Sequence, residues 1–432
     1  MPAANLMRVL HHQTAVCVLK RPGRFLRCMG SHGHGMIDVP RVRAETRGCQ
    51  GTQQVFLNSA GSSLPPRQVH DAHVAYLCKE ELHGGYKVAD EAAMALESFY
   101  HVAAALLGCD RNEVAFVESA TRGWTLLFNA IRFMPGDHII TSASDYGSNF
   151  VSYLQARDRW GVKVVTISDD PSGQIDLDEL RQALAHPRAK LVSLNHVPSC
   201  GGLVQPAEQV GALAREFNVL YLLDACQSAG QVELDVDALC CDMLTATGRK
   251  WLRGPRGTGL MYLRQSAWSR LEPLSLDQEG ARLLSETEIA VQPNVRCFEQ
   301  YEYNFGGKVG LAVAIEYALD LGVAAIQARV STLADRLRQA LANIAGVAVT
   351  DVGTQLCGIV TFVVAGCSAR QVQSALRESG VQVSISTAEG GAARVWFDRR
   401  GIAAVVRASP HYFNTEDEVD FCAALVSQIS QK

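Results

Sequence analysis

Lys250 stands at the mouth of a short loop in "LTATGRKWLRGPRGTGLMYL" (Leu244–Leu263). Apolar, strand-like runs flank the loop, and its Gly-Pro clusters mark a tight turn. A lysine beside so many glycines invites comparison with a phosphate-binding loop. That motif needs its glycines before the lysine and Ser or Thr after it. Here Trp251 comes next, and the loop's Gly-Pro run follows the lysine. Taken alone, such a lysine is a solvated surface charge.

Asp224 is the second residue with chemical potential. It closes the apolar run "VLYLLDA" (Val219–Ala225), 26 residues before Lys250. A lone aspartate there reads as a helix N-cap for "ACQSAG". Together with a Schiff-base lysine, its carboxylate can hold a proton on a pyridine nitrogen, which is the pyridoxal phosphate arrangement. The spacing leaves room for one more helix and strand, which would bring both residues to the same rim.

The elements that must position them follow an α/β rhythm from Val55 onward. "VAFVE", "DHIIT", "VKVVTI", "KLVSLNHV" and "VLYLLDA" are continuous apolar runs alternating with helical segments. Such strands suit a mostly parallel sheet covered by helices on both faces. Ligands bind beyond the carboxyl ends of such strands. Those ends carry Ser119-Ala120-Thr121, Asp145-Tyr146, Asn195-His196, Asp224 with Gln227, and Thr245, Thr247, Arg249 and Lys250. A smaller α+β domain is expected after "KVGLAVAIEYALDLG" (Lys308–Gly322). This gives a basic, flexible extension over 1–52, a large domain over 53–322 and a small one over 323–432. Residues 53–75 are a candidate to pack with the small domain.

Ser119, Ala120 and Thr121 open a helix, whose free N–H groups and dipole make a phosphate site. Plain N-capping by Ser119 is compatible with that role.

Bulk properties bound the partners. A chain of 432 residues with 48% hydrophobic and 19% charged content can bury a large core. A net charge of −4 points to neither nucleic acid nor an acidic membrane surface. No apolar run reaches the roughly 18 residues that span a bilayer. The 13 cysteines are scattered, odd in number and without CxxC pairs. No metal site or disulfide framework is expected, and the compartment reads as reducing and cytoplasmic. Met1–Ile37 contains no Asp or Glu but has Arg8, Lys20, Arg21, Arg24 and Arg27. A mitochondrial transit peptide is therefore the alternative to a disordered extension.

The stretch "DACQSAGQVELDVDALCCDMLTATGRKWLRGPRGTGLMYLR" resembles the cofactor-lysine region of class V aminotransferases, which are fold type I pyridoxal phosphate enzymes. "FLNSAGSSLPP", "FVESATRGW", "NHVPSCGGLVQP" and "VVRASPHYFNTEDEVD" are also similar to family segments, so the resemblance runs from about Phe56 to the C-terminus. It covers a subgroup of cysteine desulfurases, isopenicillin N epimerase-like proteins and ergothioneine C–S lyases.

The resemblance implies pyridoxal 5'-phosphate as cofactor and a role for each matching residue. Lys250 would form the internal aldimine and shuttle protons at Cα. Asp224 would face the pyridine nitrogen, and Gln227 the phenolic oxygen. Tyr146 would stack on the ring. Thr247 and Arg249 would join Ser119, Ala120 and Thr121 around the phosphate. Arg407, in "RAS", would grip the substrate α-carboxylate. His196 would act near the phenolic oxygen or the substrate, and Asn58 would reach over the substrate. The resemblance also implies a homodimer, with Glu299–Gly307 approaching the partner's cofactor phosphate.

The stretch before "RAS", where desulfurases carry their nucleophilic thiol, contains no cysteine. Cys200, in "PSCGG", is either a substitute nucleophile or a small buried side chain. The leading expectation is a C–S lyase acting by β-elimination on a small amino acid. Aminotransferase, desulfurase-like and epimerase activities are the alternatives, followed by a non-catalytic family member.

Overall fold

The computed structural model describes residues 36–51 and 54–431. Seven strands form the main sheet. They are β1 (Val114–Val117), β2 (His138–Ser142), β3 (Lys163–Ile167), β4 (Ala189–Asn195), β5 (Leu220–Asp224), β6 (Met243–Thr247) and β7 (Gly259–Leu263). Their spatial order is β1-β7-β6-β5-β4-β2-β3. β7 runs antiparallel to both its neighbours, while β2 to β6 pair in parallel. Every residue of β5, β6 and β7 is buried, as expected when helices cover both faces. The parallel strands therefore end together at one rim. Register aligns Asn195 with Asp224, and Asp224 with Thr245, across three adjacent strands.

The helix Phe305–Leu321 ends at Gly322, whose φ of +83° lets the chain turn by 80° into the helix Val323–Ala342. Beyond it lies a four-stranded antiparallel sheet in the order Val347–Val349, Val360–Val364, Ala404–Ala408, Ser384–Thr387. Leu333, Leu337, Phe362, Leu376, Val406 and Val419 share its core. The N-terminal end of the large region pairs with segments beside this sheet. Val55–Phe56 pairs in parallel with Val381–Gln382, and Asn58 bridges Ser409.

Two segments differ from the sequence reading. Val39–Ala44, inside the expected flexible extension, is a helix with Asp38 as N-cap and Val42 fully buried. An ion pair from Arg43 to Glu418 and a hydrogen bond from Arg43 to the Phe413 carbonyl hold it. The basic stretch Arg8–Arg27 lies outside the described residues. Between Asp224 and β6 there is no helix, so "ACQSAG" is not one that Asp224 caps. Ala225–Gly230 folds as consecutive turns closed by Ser228 and Ala229 N–H groups donating to the Ala225 carbonyl. Gly230 sits at φ +94° with the Trp251 backbone against it, a close approach that ends any helical path. No single described helix is long and apolar enough to cross a membrane.

Candidate active site

The loop between β6 and β7 is held from both sides. Gly248 N donates to the Thr258 carbonyl at 3.0 Å, and Gly254 N to the Gly248 carbonyl at 2.7 Å. Arg253 has φ of +61°, a left-handed conformation rare for a side chain of this size. Its guanidinium is buried and compensates that strain with three bonds, to the Leu64 carbonyl at 2.7 Å, Tyr412 Oη at 2.7 Å and Thr46 Oγ1 at 2.6 Å. Trp251 Nε1 donates to Gln227 Oε1 at 2.9 Å, and the Trp251 carbonyl lies 3.1 Å from His411 Nε2. Lys250 thus projects from a rigid turn. Burial lowers the pKa of its amine. The cations Arg249 and Arg407 act in the same direction, while Cys226 and Asp224 oppose it. The loop geometry positions the lysine, and its surroundings favour the neutral, nucleophilic amine.

Lys250 lines an inner recess of about 90 Å³ together with Asp224, Asn195, Tyr146, Thr247 and Ser119. At one end stands the first turn of the helix Ala120–Asn129. Ser119 Oγ accepts from Arg122 N at 3.1 Å, so its hydroxyl is the N-cap. The Ala120 and Thr121 amides remain at a helix N-terminus, where a phosphate is favoured. Gly259 permits this closeness, because a Cβ there would lie 3.0 Å from Ala120 N and 2.8 Å from the Ala246 carbonyl.

Asp224 stands among the recess-lining residues at the end of β5. Its Oδ1 accepts from Cys226 N at 2.9 Å, and its Oδ2 lies 3.4 Å from Asn149 Nδ2. Behind Asn149 is a second buried carboxylate, Asp145. It accepts from Asn149 Nδ2 at 3.0 Å, Tyr146 N at 2.7 Å, Thr141 Oγ1 at 2.7 Å and Tyr153 Oη at 2.5 Å. Burial pushes the Asp145 carboxyl up to about 6 despite those donors. Gln227 keeps less freedom than its expected role suggests. Its Oε1 serves Trp251, and its Nε2 donates to the Ala60 carbonyl at 3.1 Å, leaving one amide hydrogen for a ligand.

Tyr146, Ser199, Gln227, Arg249 and Lys250 also line an outer cavity of about 350 Å³, so the two spaces adjoin. Arg407 forms part of its wall. Arg407 Nε donates to Ser384 Oγ at 2.9 Å and Nη1 to the Ser199 carbonyl at 2.5 Å. Burial lowers its pKa to about 10. No acid partner is present to neutralise it among the described residues.

Comparison with known proteins decides what this geometry belongs to. The family model described as aminotransferase class-V matches residues 55–421. The chain belongs to that family. It is 30% identical over 399 residues to a probable cysteine desulfurase 2 of Mycobacterium leprae, covering 89% of this chain and 93% of that one. It is 26% identical over 397 residues to a probable cysteine desulfurase of Methanothermobacter thermautotrophicus, covering 91% and 96%. The apo structure of cysteine desulfurase from Thermococcus onnurineus NA1 superposes with a TM-score of 0.84 at 25% identity, covering 91% of this chain and 98% of that one. As a class V enzyme the protein has the fold type I architecture and uses pyridoxal phosphate.

The recess fits that cofactor. Its lining brings together helix N-terminal amides, Thr247, Arg249, the carboxylate of Asp224 and the lysine. Asn195 Oδ1, buried in the same lining, has no protein partner and is available to a bound group. The residues that would hold the cofactor are Ser119, Ala120, Thr121, Tyr146, Asp224, Thr247, Arg249 and Lys250, all of them in this lining.

Other class V expectations are placed differently. His196 lines neither space. Its backbone pairs with Asp224 and Gln205, its Nδ1 is buried without a partner, and burial pushes its pKa down to about 4. Asn195, one residue earlier on the strand, faces the recess instead, because alternation sends neighbours to opposite sides. Asn58 also lies outside both linings, of which the outer one takes Ala60 and Gly61 from that segment. The Asn58 side chain packs against Gly61, where a Cβ would lie 2.6 Å from its Oδ1. Cys200 is buried with Trp396, Phe397 and Val405, and burial pushes its thiol up to about 12. The sequence reading did not assign Asn149, Asp145 or Cys226. Asn149 was findable as the residue three beyond Tyr146, on the first turn of the helix Gly147–Trp160.

Proposed function

We infer that this class V enzyme cleaves a C–S bond by β-elimination from a small sulfur-bearing amino acid. The observation that carries the reading is the outer cavity, where Lys250 and Arg407 share a wall lined by no cysteine. When bound, pyridoxal phosphate supplies an electron sink for a carbanion at the substrate Cα. Arg407 suits the α-carboxylate, because its fork is already fixed by Ser384 and Ser199. Lys250, favoured as a free amine, suits removal of the Cα proton. Loss of the Cα proton to Lys250 and of the sulfur group with its bonding electrons, followed by hydrolysis, would give a thiol-level sulfur product, a keto acid and ammonia. Asp224 would keep a proton on the pyridine nitrogen, with Asn149 steadying its carboxylate.

Desulfuration on this chain would need a thiolate near the substrate sulfur. Cys226 is the cysteine in the inner lining, and burial, then Asp224, hold its thiol protonated. The names of the relatives favour cysteine itself as a second reading of the substrate. We also take the enzyme to act as a homodimer. The hairpin Ala281–Val291 supports this by presenting Leu283, Leu284, Ile289 and Val291 to solvent, an apolar face suited to a second copy. Light scattering on the purified protein tests it.

The reaction is tested by absorbance between about 300 and 500 nm with L-cysteine, cysteine sulfoxides and L-alanine, together with product analysis. Elimination predicts keto acid and ammonia in equal amounts. An amino group left on the cofactor would show transamination, and protein persulfide would show desulfuration. Lys250→Ala should abolish the visible band and turnover.

A further inference from the structure

We propose that the substrate carries a second anionic group on its sulfur-bearing side chain and that Arg370 reads it. This rests on the β-elimination reading and narrows its substrate class. The lining of the outer cavity contains Arg249, Lys250, Arg370 and Arg407 and no Asp or Glu. Three of these cations have other tasks. Lys250 holds the cofactor. Arg249 also lines the inner recess and donates to the Gly61 carbonyl. Arg407 is fixed by Ser384 and Ser199 for the α-carboxylate. Arg370 is left over.

Arg370 has no hydrogen bond or ion pair among the described residues. It lies in the first turn of the helix Ala369–Glu378, where a cation opposes the helix dipole. That helix is already capped by the reciprocal Ser368–Gln371 pair. Arg370 is solvent-exposed at the cavity wall, and an anion inside the cavity would offset its unfavourable placement against the dipole. The cavity of about 350 Å³ has room for a side chain longer than a bare thiol. Ile385, Ser386, Thr387 and Gly390 also line the cavity and carry no charge. Arg407 and Arg370 therefore define two anion positions on one ligand. A cysteine whose S-substituent ends in a carboxylate or sulfur oxyacid fits both.

The test compares S-carboxymethyl-L-cysteine with its neutral near-isostere S-carbamoylmethyl-L-cysteine on the holoenzyme, reading affinity from the cofactor absorbance. The acid should bind at least 10-fold tighter, and 0.5 M salt should shrink the difference. Arg370→Gln should weaken the acid about 10-fold and the amide by less than about 2-fold. L-Cysteine sulfinate, measured in parallel, separates carboxylate from sulfur oxyacid recognition. Equal affinities for acid and amide, or an acid preference unchanged in Arg370→Gln, would overturn the proposal. Thermal shift of the holoenzyme by glutarate against acetate reads Arg370 without chemistry. A glutarate effect lost in Arg370→Gln supports the second anion position, and no excess effect of glutarate counts against it. Tight acid binding without keto acid release would overturn the elimination reading alone.

Discussion

Asn149 places its side-chain amide 3.4 Å from the Asp224 carboxylate while donating to Asp145 at 3.0 Å. One neutral amide thus separates two buried acids whose charges repel. Asp145 is satisfied separately by Thr141, Tyr153 and the Tyr146 amide, which would leave Asp224 free for the cofactor nitrogen in its proposed role. Replacing Asn149 with Ala removes the separator and a charge-assisted bond worth about 1.5–3 kcal/mol. Cofactor retention on dialysis, followed by absorbance, should fall about 10-fold or more. Unchanged retention would show that Asp224 needs no such support.

Arg253 joins the lysine loop to Thr46, Leu64 and Tyr412 through three buried bonds. Arg253→Ala should lower the unfolding free energy by about 3 kcal/mol, since buried acceptors lose their donor and a cavity opens. Urea unfolding measures this. A loss below about 1 kcal/mol would mean that the loop holds itself.

His196 sets a pH dependence with a definite sign. Its pKa is about 4 in the folded protein against 6.5 when unfolded. The unfolded chain therefore binds the extra proton between those values, and stability falls as pH drops through that window. The buried His411, whose pKa burial also lowers, acts with the same sign. Between pH 7.5 and 5, His196 alone should cost about 2 kcal/mol. Urea midpoints at both pH values should show that loss in the native protein and a smaller loss in His196→Gln. Equal losses would place the titration elsewhere.

Cys200 is packed among Trp396, Phe397 and Val405 with its thiol held protonated. Cys200→Ala should keep turnover within about 2-fold and cost about 1 kcal/mol of stability from the small cavity. Loss of turnover above 10-fold, together with a persulfide mapped to Cys200 in the native enzyme, would instead make it the nucleophile.

The alternation of apolar runs and helices in this sequence dictated a covered parallel sheet, because only β-strands buried on both faces read that way. With it came the rim carrying Asp224, Thr247 and Lys250, since parallel strands end on the same side. The helix start at Ser119–Thr121 marked a candidate phosphate end, and the class V resemblance, not spacing, singled out Arg407 as a candidate carboxylate grip.

Tertiary structure alone decided which neighbour on a strand faces the recess. Asn195 does and His196 does not, and a half-turn of strand is invisible when both residues are polar. Folding also turned "ACQSAG" into consecutive turns rather than a helix, because Gly230 must pass against Trp251. It buried Cys200, whose surroundings come from residues nearly 200 positions away. The Asp145–Asn149–Asp224 chain and the four cations around one cavity were likewise decided by packing. The first joins two distant segments and the second three, and no local pattern encodes their distance.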